Sequence, residues 1–276
     1  MQPFLITGAT GRVGSLVAAS LAALGHDVRG LARSTRAVLP PGVTPARGDL
    51  ADPASLAGAL EGVGTVFLVW PGLPVDPRVI ELIAAHAGKV VYLSADVTDL
   101  AEGEEPVFFH QEVERLIRGT GLEWTFVRAI TFAANTLAWA AQAREGVVRL
   151  PYGSATRAPL HERDIAEVSV RVLTEPGHHG GKYLITGPET LSHAEQARVI
   201  GEAAGRPVRW EEQPEDEALA ALTALLGDAA FARQRLAAWR RLTESPDRVT
   251  STVADLLGRP ALSFAQWAAD HAEAFR

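Results

Sequence analysis

Gly8, Gly11 and Gly14 recur at every third position in the run Thr7-Gly-Ala-Thr-Gly-Arg-Val-Gly14, between the apolar triplet Phe4, Leu5, Ile6 and a stretch with apolar residues at helical spacing, Val13 to Leu24. The chemistry such a bend can do is anion binding. A residue without Cβ lets the main chain approach a diphosphate closely, and the amides that open the following helix present a dipole of about half a charge. A glycine triplet alone also occurs in ordinary turns. Here it has the surroundings a dinucleotide site needs, with a strand before it, a helix after it and a second strand, His26 to Ala32, directly behind. The bend predicts a dinucleotide held by backbone, with Gly8, Thr10, Gly11, Arg12 and Val13 against it.

The end of that second strand selects the dinucleotide. NAD sites place an Asp or Glu there against the ribose 2′-hydroxyl, whereas this chain has Ala32 followed by Arg33 and Ser34. A guanidinium fork fits a 2′-phosphate. At about 4 Å and an effective dielectric near 20 its raw attraction is about 4 kcal/mol, much of it screened at an open site. NADPH preference by about one or two decades follows. Arg12 and Arg36 are further candidates for the same phosphate, and all three, Arg33 included, also read as solvated surface arginines.

The elements that position these residues alternate. After a proline-rich loop, Ser34 to Pro45, come a strand end at Asp49 and Leu50, a helix opening near Asp52 and Pro53, and a buried strand from Gly64 to Trp70 closed by Pro71 and Gly72. A helix from Pro77 to His86, a strand from Lys89 to Ser94, a helix from Val107 to Gly119 and a strand from Trp124 to Ala129 follow. Strands and helices at this spacing mean an α/β fold, a doubly wound parallel sheet of Rossmann type. In that fold the carboxyl edge of the sheet lines the cofactor groove. Asp49 and Leu50 are thus placed near adenine, with a local turn or cap as the other reading of Asp49, and Val69, Trp70 and Pro71 beside the nicotinamide-side ribose.

Beyond Ala129 the pattern loosens into a helix after His161, a short strand from Lys182 to Thr186, helices from Ala194 to Ala204 and from Glu217 to Thr243, and a Leu-, Ala- and Trp-rich segment to Arg276. We expect a nucleotide-binding domain over residues 1–187, with 130–160 contributing to a substrate cleft, and a mostly helical substrate portion over 188–276 that roofs the nicotinamide end.

Composition narrows the function classes. The chain has 276 residues, 47% of them hydrophobic, enough for a full core. It has no cysteine, which excludes a disulfide framework, a thiolate nucleophile and Cys-ligated metal. A net charge of −7 without long acidic blocks argues against nucleic acid. No run approaches the roughly 20 apolar residues that span a bilayer, and the first strand starts at once, so a cytoplasmic protein without membrane attachment is expected, as monomer or homodimer. His178 and His179 share a Gly-rich turn without the carboxylates a metal would need, so no metal is expected.

The segments Thr7-Gly-Ala-Thr-Gly-Arg-Val-Gly14, Leu31-Ala-Arg-Ser34, Gly48-Asp-Leu50, Val90-Val-Tyr-Leu-Ser94, His110-Gln-Glu-Val-Glu114, Gly121-Leu-Glu-Trp-Thr-Phe-Val-Arg128, Asp164-Ile-Ala166 and Tyr183-Leu-Ile-Thr-Gly187 together resemble the NmrA-like group of atypical short-chain dehydrogenases/reductases. The stretch from His110 to Arg128 looks most like the bacterial NADPH-dependent quinone oxidoreductases. The resemblance implies NADPH binding and a reductase; the group also holds non-catalytic cofactor-binding regulators. One departure from ordinary short-chain dehydrogenases matters for mechanism. Their Tyr-x-x-x-Lys pair is missing, its slots reading His110 and Glu114, while Tyr92 lies in a strand with Asp96 four residues on.

His110, with an ordinary pKa near 6.5, is the candidate proton donor to a quinone or enone oxygen, and Glu114, one helical turn on, the candidate to orient or stabilise its imidazole. The competing readings are that His110 only packs on the nicotinamide and that Glu114 pairs with Arg115 or Arg118 in solvent. Ser94 ends its strand either beside the substrate carbonyl and cofactor or in a bond that closes the strand. Ile130, Thr131, Phe132 and Asn135 follow the sixth strand and are expected to face substrate, Asn135 bonding a carbonyl, with Phe109 and Trp139 as apolar walls or core. His161 with Asp164 is either a dyad or the start of a helix. The expected function is NADPH-dependent reduction of a quinone-like or conjugated aromatic carbonyl compound in natural-product tailoring; the alternatives are a non-catalytic NADP(H) redox sensor and a redox-neutral isomerase or dehydratase.

Overall fold

A computed structural model describes residues 2–34, 36–101 and 103–276; Thr35, in the proline-rich loop, lies outside them. The chain forms two compact units that interleave in sequence. The first takes residues 1–129, 162–185 and 252–259, the second 130–161, 186–251 and 260–276. One crossing, after Ile185, lies near the expected boundary, and an earlier one, after Ala129, puts 130–161 with the C-terminal segments.

The first unit is built on seven parallel strands: β1 (Phe4–Ile6), β2 (Val28–Ala32), β3 (Val43–Arg47), β4 (Thr65–Val69), β5 (Lys89–Ala95), β6 (Glu123–Ala129) and, later in the chain, Gly181–Ile185. Their spatial order is β3-β2-β1-β4-β5-β6 followed by that last strand. β1, β4 and β5 are covered on both faces, which is why they read as apolar runs such as Val66-Phe67-Leu68 rather than as alternations. The chain winds outward from β1 to β3, then returns to β4 and winds the other way. β1 and β4 are therefore the switch point, and the crevice beyond their carboxyl ends is where this architecture binds ligands.

Helices cover the sheet: α1 (Arg12–Ala23), α2 (Ala57–Leu60) after a 3-10 turn at Pro53–Leu56, α3 (Pro77–His86) and α4 (Phe109–Arg118). α1 buries Val13, Val17, Ala18 and Leu21, a stripe at helical spacing. α4 opens where the Gln111 side chain accepts from the amides of Val107 and Phe108 at 2.9 and 3.1 Å, fixing which residues begin its first turn.

In the second unit, a 3-10 helix (Ala133–Trp139) runs into α5 (Ala140–Arg144) and β7 (Val147–Leu150), with β8 at Thr156–Arg157. α6 (Glu162–Thr174) and the strand β9 (Gly181–Ile185) belong to the first unit, with α6 packed on α1. β10 (Leu191–Ser192), α7 (His193–Ala204) and β11 (Arg209–Glu212) return to the second, where β11 pairs parallel with β7 and β10 antiparallel with β8. The core of this unit gathers Ile200, Phe264, Trp267 and Phe275. The single helix expected over Glu217 to Thr243 is two, α8 (Glu215–Leu226) and α9 (Ala229–Glu244). Gly227 ends the first, and Asp228 caps the second by accepting from the amides of Ala230 and Phe231 at 2.7 and 3.1 Å. α10 (Thr252–Leu257) packs on α6 in the first unit, and α11 (Phe264–Asp270) packs on α7 in the second. Among the described residues no helix is long and apolar enough to cross a membrane.

Candidate active site

The glycine bend lies at the switch point. Gly8 has φ +63°, and a Cβ there would sit 3.2 Å from Cβ of Val69 at the end of β4. A Cβ on Gly14 would fall 2.2 Å from the Gly8 carbonyl oxygen, so only glycine lets α1 start this close to β1. Thr7 Oγ1 ties the two strand ends together, donating to the Val69 carbonyl at 3.0 Å and accepting from its amide at 2.6 Å. Gly11 is the residue before α1, extended at φ −88° and ψ 173°, and no side chain caps the helix. Uncapped first-turn amides beside a wall no side chain can fill are what a diphosphate requires. Thr10 and Arg12 are exposed and Val13 is buried beneath them.

Arg33 and Ser34 follow β2 and are exposed, as is Arg36. Among the described residues none of Arg12, Arg33 and Arg36 has a carboxylate partner, so each guanidinium is open to an anion. Asp49 is engaged locally: its Oδ1 accepts from the Ala51 amide at 3.0 Å, and its own amide donates to Ser55 Oγ at 2.9 Å. Leu50 is buried next to it. Trp70 is buried, its indole N–H donating to the Leu73 carbonyl at 2.8 Å, and Pro71 is exposed.

The titratable cluster has a different wiring from the one the spacing suggests. Tyr92 and Ser94 point to one side of β5, being two apart, and His110 and Glu114 lie on one face of α4, being four apart. Tyr92 Oη meets His110 Nδ1 at 2.6 Å, and Ser94 Oγ donates to Glu114 Oε1 at 2.7 Å. The Glu114 carboxylate therefore engages neither solvent arginine nor imidazole, and Arg118 Nε reaches only the backbone carbonyl of Glu114, at 3.4 Å. The register of β5 on β6 sets Ser94 beside Arg128, whose guanidinium holds Glu114 through Nε–Oε1 at 2.9 Å and Nη2–Oε2 at 2.5 Å. Arg128 also reaches Asp99 at 2.6 Å, and Lys182 reaches the other oxygen of Asp99 at 2.8 Å. Arg115, one of the two arginines in the competing reading of Glu114, pairs instead with Glu112 at 2.7 Å.

This wiring decides the protonation of His110. With Glu114 committed to Arg128, nothing offsets the desolvation of the half-buried ring, and its pKa falls from 6.5 to about 4. His110 is neutral at physiological pH, so the ordinary imidazole pKa expected from the sequence does not apply. Burial, reinforced by the negative charge of Glu114, pushes the Tyr92 phenol above its ordinary range, so it keeps its proton. That proton has Nδ1 as its acceptor, which leaves the His110 proton on Nε2, an N–H without a protein acceptor among the described residues. Phe109, expected at substrate, lies with its ring centroid 4.0 Å from that of His110 and packs against the core of the first unit.

Wholly within the second unit is a cavity of about 310 Å³, a volume suited to a small molecule. Thr131, Phe132, Asn135 and Trp139, all from the segment after β6, line it; Ile130 is not in the lining. Leu150, Leu222 and Leu225 extend the apolar wall, and Arg157, Arg235, His193 and Trp239 add residues the sequence did not single out. His193 stands among Trp139, Trp210 and Trp239, with ring centroids 5.6, 5.7 and 6.0 Å away, and burial lowers its pKa to about 4.

His161 pairs with Asp270 at 3.3 Å and Asp164 with Arg259 at 2.8 Å. His178 meets the Tyr183 hydroxyl at 2.8 Å, and His179 accepts from the Trp124 amide at 3.2 Å. Among the described residues no group of three or more His, Asp or Glu side chains is placed to hold a metal ion.

The family model described as the NmrA-like family matches residues 2–230. The chain is 42% identical over 278 residues to a (4-alkanoyl-5-oxo-2,5-dihydrofuran-3-yl)methyl phosphate reductase of Streptomyces griseus, with 98% of each chain covered. It is 35% identical to an NAD(P)H azoreductase of Xenophilus azovorans, again over 98% of each. An NADPH-dependent quinone oxidoreductase of Escherichia coli has a similar structure, with a TM-score of 0.79 at 25% identity over 97% of this chain and 98% of that one.

Proposed function

The chain belongs to the NmrA-like family, as an NAD(P)H-dependent reductase, and from that premise we propose that it uses NADPH to reduce the conjugated carbon–carbon double bond of an acylated unsaturated lactone. The observation that carries this reading is the 42% identity, across essentially the whole of both chains, to a reductase of an alkanoyl dihydrofuranone phosphate. The second unit's cavity supports it independently: Phe132, Trp139, Leu150, Leu222 and Leu225 offer an apolar wall for an acyl chain, and Asn135 and Thr131 offer short neutral groups for a carbonyl.

Bound NADPH would supply the hydride, which adds to the β-carbon of the conjugated system while a proton from solvent reaches the α-carbon. The chain's own part is to bind and polarise. The glycine bend and the uncapped amides of α1 would hold the diphosphate, and Arg33, with Arg12 beside the bend, would take the 2′-phosphate. In the first unit, His110 would offer a neutral Nε2–H donor to an oxygen gaining negative charge, and Tyr92 fixes that tautomer. Ser94 and Glu114 act through structure, locking Arg128 between β6 and α4.

The test is to follow loss of the nicotinamide absorbance with an acylated butenolide phosphate, a quinone panel and an azo dye, and to identify products by mass. Butenolide turnover with gain of two hydrogens, at a kcat/KM at least about tenfold above the other classes, is expected. Efficient turnover of quinones without the butenolide would replace this reading with quinone reduction.

A further inference from the structure

Two guanidiniums line the cavity of the second unit, and they differ in one respect. Arg157 is neutralised: its Nε is 2.9 Å from Asp247 Oδ2, and that carboxylate is only 9% exposed. Arg235, on α9, has no carboxylate partner among the described residues. Its contact is with Trp239, one turn further along the same face, with the guanidinium carbon 5.3 Å from the ring centroid. A guanidinium laid on an indole keeps its N–H edge free while losing part of its rotational freedom, which is the preorganisation that bidentate recognition of an oxyanion needs. Among the described residues no Asp or Glu lines the cavity, although the chain as a whole carries −7. Leu222 and Leu225 of α8 stand in the same lining. The cavity thus offers an apolar wall together with a single uncompensated cation among its described residues.

We propose that Arg235 is the specificity-determining residue of this cavity and that it takes the phosphomonoester of an amphiphilic substrate, with Trp239 positioning the guanidinium. The proposal rests on the cavity being the substrate site, as in the reading above, and adds which end of the substrate is selected and by what. Arg157, held by Asp247, stays structural.

Two measurements test it. In the first, the wild-type protein reduces an acylated butenolide carrying a phosphomonoester and the same compound with a free hydroxyl. The phosphate is expected to raise kcat/KM by about tenfold to a hundredfold, mostly through KM, and Arg235→Gln to bring that ratio close to one, with Arg235→Lys between. NADPH affinity unchanged in both variants shows that they fold. In the second, hexyl phosphate and hexanol are titrated calorimetrically into the NADPH-loaded protein. Tighter binding of hexyl phosphate, weakened about tenfold or more by Arg235→Gln, supports the anion site even if no butenolide is reduced, in which case only the reaction assignment falls. A phosphate preference that survives Arg235→Gln, or hexyl phosphate bound no tighter than hexanol, overturns the proposal while leaving butenolide reduction intact.

Discussion

Replacing Glu114 by Met separates a catalytic carboxylate from a structural one. In the wild type its side chain is 2% exposed and Arg128's is 10%, and the carboxylate accepts from Arg128 at 2.9 and 2.5 Å and from Ser94 at 2.7 Å. Met fills a similar volume but removes all three acceptances, leaving Ser94 without its acceptor and Arg128 with only Asp99, which is half-exposed. Removing one partner of a buried pair costs about 3–5 kcal/mol, because the loss includes the stranded charge as well as the bonds. For a chain of this size about 1 kcal/mol shifts Tm by roughly 2–4 °C, so a fall of about 6–20 °C is expected by differential scanning calorimetry. The double variant Glu114→Met/Arg128→Met removes both charges and should regain most of that fall, giving a coupling energy of about 2 kcal/mol or more in a double-mutant cycle. Below the new transition, kcat/KM of Glu114→Met should stay within about threefold of wild type, since the imidazole takes nothing from this carboxylate. A variant that keeps its Tm but loses about a hundredfold in kcat would refute the structural reading and return Glu114 to the chemistry.

Other consequences are equally direct. Arg33→Asp should weaken NADPH about tenfold to a hundredfold with little change for NADH, read by titration of both cofactors; unchanged preference would exclude Arg33 from the 2′-phosphate. Because His110 is already neutral above pH about 4, kcat/KM should be flat from pH about 5.5 to 8, and a limb near pH 6.5 would show a cationic acid instead. His110 and His193 both have folded-state pKa values of about 4, below the unfolded value near 6.5, so the unfolded chain binds more protons as the solution is acidified. Stability is therefore full above pH about 6.5 and declines toward pH 4, by about 2 kcal/mol per histidine at pH 5; denaturant melts at pH 8 and 5 should show a smaller difference in His193→Gln. Trp139→Ala should raise the KM for the acyl substrate about tenfold with kcat nearly kept, and an unchanged KM would remove the cavity from substrate binding.

The strands that bury both faces were legible because period and burial agree: Thr65–Val69 and Lys89–Ala95 are largely apolar runs too short for helices and each preceded by a Gly. The glycine bend was legible because its glycines lie within seven residues of one another, although Val69, which stands against Gly8, joins it only through the β1–β4 pairing. What escaped was non-local. Arg128 and Ser94 are thirty-four positions apart in the chain and become neighbours only through the β5–β6 register, so a helical-spacing argument assigned Glu114 to His110 when the stronger partner sat on a strand. Tyr92 was passed over for lacking a lysine four residues on, yet its phenol is the group that meets His110. The signal was present in the pairing of Tyr92-x-Ser94 on a strand with His110-x-x-x-Glu114 on the following helix, two polar pairs each confined to one face. Gly227-Asp228 likewise carried the break between α8 and α9, a helix end followed at once by a cap.

The Tyr92–His110 pair also bears on the kind of substrate the site suits. A tyrosine that works as an acid–base group in a reductase needs a nearby cation to draw its pKa down. Tyr92 has the reverse, a buried ring and the negative charge of Glu114, both of which hold the proton on oxygen. His110 is likewise held away from its cationic form by desolvation. The cluster can thus present a hydrogen bond but has no strong acid to deliver, which is a poor arrangement for reducing an isolated ketone, whose alkoxide must be protonated as it forms. A conjugated acceptor needs less, because its own carbonyl spreads the charge into an enolate that a neutral N–H can stabilise while water protonates carbon at leisure. Under the proposed reading, the protein's share of catalysis lies in positioning and polarisation, and an electron-poor substrate suits the site.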